Sequence, residues 1–169
     1  MTALRRQRTG LWTSAGLWLA GAVLCLISAA VPQGRADHVT ERVVTDSRSG
    51  LAINGFDPVA YFTDGTPILG SADFEYRAEE VIWRFRNEGN RAAFAANVHV
   101  YHPRFGGYDP IAIGRGVATA GHPEIWTISG NRLYLFYNEE ARTKFLADPA
   151  AAITAADQKW TEVLRTLVP

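Results

Sequence analysis

Ile125-Trp126-Thr127-Ile128-Ser129-Gly130-Asn131-Arg132-Leu133-Tyr134-Leu135-Phe136-Tyr137-Asn138-Glu139-Glu140 is the stretch that decides the fold. Two runs rich in β-branched and aromatic residues flank Ser129-Gly130-Asn131, a short glycine-containing turn, and so read as a β-hairpin. In the second run Leu133, Leu135 and Tyr137 alternate with Tyr134 and Phe136. Both faces are apolar, which predicts a strand covered on both sides and central in its sheet. Asn138 then offers a side-chain acceptor to a helix whose first turn carries Glu139 and Glu140, acids placed favourably for the helix dipole.

The same grammar extends outward. Asp148-Pro149 supplies a cap and an N1 proline for a last helix. Along it Ile153, Ala156, Trp160, Val163 and Leu167 recur at helical spacing and form one apolar stripe. Upstream, Phe74 to Arg77 and Val81 to Arg86 read as paired strands, with Val81, Trp83 and Phe85 on one face. Asn87 caps a helix through Ala96, with Ala93 and Phe94 inward. Asn54-Gly55, Asp57-Pro58 and Asp64-Gly65 are turn signals. Val98 to Pro103 reads as extended, and the paired glycines Gly106-Gly107 allow a sharp turn or a close approach. The expected architecture is α+β: a small antiparallel sheet with hairpins flanked by helices, and a C-terminal helix packed on the sheet. No internal repeat and no low-complexity tract is read along the chain.

Residues 1–10 carry three arginines, Leu11 to Val31 runs without a charge, and Gly34 and Ala36 are small. A basic start, an apolar middle and small residues before a cut are the parts of a secretory signal, with cleavage expected after Ala36. The alternative is an uncleaved anchor over residues 11–31, an apolar run long enough to span a bilayer. Arg5-Arg6 leaves the export route open between the general secretory and twin-arginine systems. The expected organisation is 1–36 signal peptide or anchor, 37–50 linker, and 51–169 folded domain, in the periplasm or outside the cell.

Composition narrows the chemistry. The whole chain has 17 basic and 17 acidic residues, but Arg5, Arg6, Arg8 and Arg35 lie in the first 36, which contain no Asp or Glu. The remainder keeps 13 basic against 17 acidic residues, a formal charge of about −4. A mildly acidic domain offers no electrostatic footprint for nucleic acid. Cys25 is the only cysteine and falls in the leader, which removes disulfides, thiol nucleophiles and cysteine zinc sites from the domain. No GxSxG, HExxH, phosphate loop or dinucleotide fingerprint occurs.

From Ile53 to Trp160 the landmarks follow one another in a specific order. They are Asn54-Gly55-Phe56-Asp57-Pro58-Val59-Ala60-Tyr61-Phe62, then Gly70, Phe74, Trp83, Phe85, Asn90-Arg91 and Phe94, then Tyr101-His102-Pro103-Arg104-Phe105-Gly106-Gly107-Tyr108. Glu124 to Ile128, Arg132 to Leu135, Tyr137-Asn138, Lys144, Asp148-Pro149 and Ala155-Ala156-Asp157 complete the set. This order resembles the YHS-domain family in its longer exported form. The resemblance implies a compact α+β unit with a small antiparallel sheet and an association with metal, often copper. It also implies cysteines, and here Ala60, Arg86, Asn90 and Asp109 stand at those positions. The chain keeps the scaffold and lacks the soft thiolates on which copper(I) and zinc sites depend.

What remains are nitrogen and oxygen ligands. His99, His102 and Asp109, with His122 as a distant fourth, are the candidate metal set for copper(II), zinc or iron. Against it, positions 99 and 102 of an extended segment point to opposite faces. Asp109, after Gly106-Gly107-Tyr108, reads equally as a carboxylate facing a pocket and as a turn residue accepting backbone N–H groups. Tyr61, Trp83, Phe85, Tyr101, Phe105, Tyr108, Trp126 and Tyr134 supply aromatic surface for a core or for a flat ligand. Arg84 and Arg86 on one strand face would suit an anion or an acidic partner.

The expected function is an exported, non-enzymatic YHS-like binding module for a small molecule or a protein partner, with no nucleic acid and with membrane contact only through the leader. Its expected pocket is Tyr101, His102, Tyr108, Asp109 and Trp126. One alternative is metal handling through His99, His102 and Asp109. Another is a small periplasmic enzyme with an Asp109–His102 acid–base pair.

Overall fold

Asp57 and Asp109 organise the domain, each at the start of a unit built to one plan. The computed structural model describes residues 42–167, and the expected leader lies outside them. In the first unit, Ile53, Asn54 and Gly55 take positive φ of 41, 56 and 79°, then Asp57-Pro58 leads into a short helix α1, Ala60–Thr63. Strands β1 (Ser71–Ala78) and β2 (Val81–Phe85) pair antiparallel, and Asn87 caps α2 (Glu88–Ala96) by accepting from the Asn90 N–H. A single helical turn, α3 (Val98–Tyr101), connects to the second unit. There Phe105, Gly106 and Gly107 take φ of 55, 63 and 89°, and Asp109-Pro110 opens α4 (Pro110–Ile113). Strands β3 (His122–Ser129) and β4 (Arg132–Phe136) pair, and Asn138 caps α5 (Glu139–Ala147) through the Ala141 N–H. The last helix, α6 (Pro149–Leu167), begins at the Asp148 cap.

These two units are an internal repeat, which corrects the reading of a non-repetitive chain. Ser71 maps onto His122, Phe85 onto Phe136 and Asn87 onto Asn138, a constant offset of 51 residues. The pairing agrees in detail. Ser71 pairs with Phe85 and Glu75 with Arg84; His122 pairs with Phe136 and Trp126 with Leu135, so both hairpins carry the same irregularity at the same place. Gly70 N–H donates to Gly55 O at 2.9 Å, and Gly121 N–H to Gly107 O at 3.0 Å. Asp57 N–H donates to Ile68 O at 2.8 Å, and Asp109 N–H to Thr119 O at 2.9 Å. Both strand-entry glycines are sterically required: a Cβ at Gly70 would lie 2.4 Å from the Arg84 carbonyl carbon, and one at Gly121 2.6 Å from Leu135 Cβ.

The fold class is α+β as expected, with the hairpins forming two separate two-stranded sheets. Strand β4 is covered on both sides, though not by flanking strands. Leu133 and Leu135 face a core with Val43, Ile53, Trp83, Phe85 and Phe94, while Tyr134 and Phe136 face a second core with Phe145, Ala156 and Val163. The apolar stripe of α6 packs into this second core, with Trp160 edge-on to Phe105 at 5.6 Å. Two local expectations change. Val98–Tyr101 is a helical turn rather than extended chain, because Asn97 O accepts from Val100 and the His102 N–H closes onto Val98 O at 2.8 Å. The end of the expected linker belongs to the fold: Val43 is fully buried, Val44 N–H donates to Gly106 O, and Val44 O accepts from Ile53. Asp46 turns this segment back by accepting from Arg48 and Ser49. No helix among the described residues is long and apolar enough to cross a membrane.

Candidate functional site

Asp109 is 2 % exposed and its carboxylate is well supplied with donors. Oδ1 accepts from the N–H groups of Ile111 (2.8 Å) and Ala112 (3.3 Å), capping α4, and Oδ2 accepts from Tyr137 N–H at 3.0 Å, tying the end of β4 to the cap. The turn reading of this residue is therefore realised. The pocket reading stands beside it, since Asp109 also lines a cavity of about 280 Å3 with Arg115, Thr119, Ala141 and Lys144.

His102 lies elsewhere. It follows α3, packs its ring 5.1 Å from Trp83, and brings Nδ1 to 2.8 Å from Pro103 O. Its Nε2 is 3.1 Å from Glu79 Oε2. Glu79 and Glu80 form the two-residue turn between β1 and β2 with φ of 51 and 66°, left-handed values that asparagine and glycine adopt at far lower cost. Contact with His102 is the main reason the Glu79 carboxyl sits below its ordinary value, and Arg42 adds to it.

Around His102 opens a cleft of about 250 Å3 with a charged side and an apolar side. Arg42, Arg104 and Arg132 supply the charge, with Glu79 the one acid of the lining among the described residues; Phe105, Trp160 and Leu164 supply the apolar wall. Arg104 pairs with Asp157 and lies over the Phe105 ring at 5.0 Å. The guanidinium of Arg132 reaches His102 O at 3.5 Å, and its buried Nε has no hydrogen-bond partner among the described residues. Burial, with the charge of Arg104, lowers the Arg132 pKa.

The other expected site residues are distributed. Tyr101 packs edge-on to Phe62 at 5.4 Å and, with His99, Asn131 and Arg132, lines a third, open hollow of about 430 Å3. Tyr108 is buried 6.3 Å from the Trp160 ring. Trp126 packs edge-on to Tyr61 at 5.1 Å, and the Tyr61 hydroxyl donates to Pro123 O. The five residues expected to form one pocket thus divide among separate environments, with Arg132 the side chain shared by the His102 cleft and the Tyr101 hollow. Among the described residues no group of three His, Cys, Asp or Glu side chains is arranged to hold a metal ion, so His99, His102 and Asp109 do not assemble. His99 is exposed on α3, His102 is turned to Glu79, and Asp109 is committed to backbone donors. Arg84 pairs with Glu75 and Arg86 with Asp64, so that strand face is already neutralised.

Sequence reading missed Arg42, Glu79, Arg104, Arg132 and Trp160 as a group. They come from five segments: Trp160 reads as part of an apolar helical stripe and Arg104 and Arg132 as landmarks of the resemblance, but nothing local joins them to one another or to Arg42 and Glu79. Comparison with family models, with curated proteins and with solved structures returns no match.

Proposed function

We propose that the chain is an exported, YHS-like binding module that holds a small organic anion in the cleft beside His102. The observation that carries this reading is the convergence of Arg42, Arg104 and Arg132 on one side of a cleft in a domain of net negative charge: among the described residues Glu79 is the acid of its lining, and Asp157 pairs with Arg104 alone. Like charges repel, and the half-buried Arg132, whose Nε has no hydrogen-bond partner among the described residues, carries a free-energy cost that an anion would return through charge-assisted hydrogen bonds. Trp160, Phe105 and Leu164 supply an apolar wall for the body of such a ligand. The match is an aryl carboxylate of about the size of benzoate. The apolar wall distinguishes it from bare phosphate, which would use only the arginines.

The test is calorimetric titration of the full chain with benzoate and with inorganic phosphate, repeated on Arg132→Gln. Benzoate binding that the substitution weakens at least about tenfold, the weight of one charge-assisted hydrogen bond, supports the reading. Absence of benzoate binding, or equal binding to the variant, contradicts it. Phosphate bound as tightly as benzoate contradicts the assigned ligand class.

A further inference from the structure

The internal repeat permits a comparison of the same position in two copies. In the first unit Asp57 Oδ2 accepts two donors: Arg86 N–H at 2.8 Å and the Asn90 side-chain amide at 2.7 Å. In the second unit Asp109 Oδ2 accepts the equivalent backbone donor, Tyr137 N–H. The residue equivalent to Asn90 is Ala141. Both are the third helical residue after the cap, and both donate their backbone N–H to the capping asparagine. The amide that plugs the first unit is absent from the second. In its place lies the cavity of about 280 Å3 lined by both Asp109 and Ala141, far larger than a carboxamide group requires.

From this broken symmetry we propose that the second unit is a binding site, separate from the arginine cleft, for a small zwitterion whose primary ammonium group replaces the missing Asn90 amide at Asp109 Oδ2. A buried carboxylate oxygen with one donor among the described residues, where its counterpart in the first unit has two, has room for a further N–H group, and a charged donor suits it better than a neutral one. The rest of the lining fixes the other end of the ligand. Lys144 pairs with Glu140 at 2.7 Å; Arg115 is exposed, acts on Glu140 only through its field, and forms no ion pair among the described residues. A ligand with its ammonium inward and a carboxylate toward Arg115 satisfies both ends, which is the chemistry of a small amino acid.

The experiment titrates the full chain with L-alanine and with ethylamine, following the backbone amides of Thr119, Tyr137 and Ala141 by NMR. Three proteins are compared: the unaltered chain, Ala141→Asn and Arg115→Gln. Ala141→Asn rebuilds the plug of the first unit, so it should raise the melting temperature and weaken L-alanine binding at least about tenfold. Arg115→Gln should weaken L-alanine but leave ethylamine unchanged. No shift of these amides with L-alanine, or binding that survives Ala141→Asn, overturns the proposal. A fall in melting temperature on Ala141→Asn also overturns it, because the space would then not be equivalent to that of Asn90. The arginine cleft provides a control: Ala141→Asn leaves benzoate titration there unaffected, so failure of either site is read separately.

Discussion

Single side chains carry much of this fold, and Asp57 is the clearest case. It is fully buried and satisfies Val59, Ala60 and Arg86 backbone N–H groups together with the Asn90 amide. Asp57→Ala should cost about 3 kcal/mol or more by leaving buried donors unpaired. Asp109→Ala should cost less, since it frees three backbone donors and no side chain. Chemical denaturation of both variants checks the order, and equal losses would contradict it. Tyr61 sets a pH dependence. Its hydroxyl is buried and bonded to Pro123 O, and burial raises its pKa above the ordinary value of 10.0. An acid whose neutral form is favoured in the fold contributes stability that is present below pH about 10 and lost as pH rises further. Melting temperature should therefore fall steeply above that pH, and Tyr61→Phe, less stable at neutral pH, should flatten the alkaline limb. An unchanged alkaline limb would contradict this assignment.

At the scale of elements, the hairpins, the caps at Asn87, Asn138 and Asp148, and the stripe of α6 were legible because each depends on neighbours in sequence. The helical turn at Val98–Tyr101 was not, because its β-branched residues favour extended chain and the Asn97 and Val98 carbonyls override them. The repeat escaped for a related reason. Few identities survive, chiefly Gly55-Phe56-Asp57-Pro58 against Gly107-Tyr108-Asp109-Pro110 and Asn87 against Asn138, while backbone geometry is kept throughout. Gly70→Ala and Gly121→Ala should each destabilise by about 3 kcal/mol, since both added methyl groups meet fixed neighbours. The β1–β2 turn behaves oppositely. Replacing Glu79-Glu80 by Asn-Gly relieves two left-handed residues and should stabilise by about 1 kcal/mol, despite losing the contact to His102. A lower melting temperature in that variant would show that the contacts of the two glutamates, that of Glu79 with His102 among them, contribute more than the turn costs.

Across the whole molecule the candidate sites were only partly legible. Asp109 could be named from its place after Gly106-Gly107-Tyr108, and both readings of it meet at the same carboxylate. His102 could be named, but its surroundings could not, since Arg42, Glu79, Arg132 and Trp160 reach it from distant segments. The expected single pocket divided because the repeat places Asp109 in its own cap-and-strand junction while His102 sits in the connection between units. An acidic domain that gathers arginines against one tryptophan-lined wall has a polarity that neither composition nor motif displays. The most direct measurement is an NMR titration of the full chain with benzoate, read at the Trp160 indole N–H and the Arg132 Nε–H. The account predicts saturable shifts of both signals together, abolished by Arg132→Gln. Shifts confined to other residues, or none at all, would contradict it.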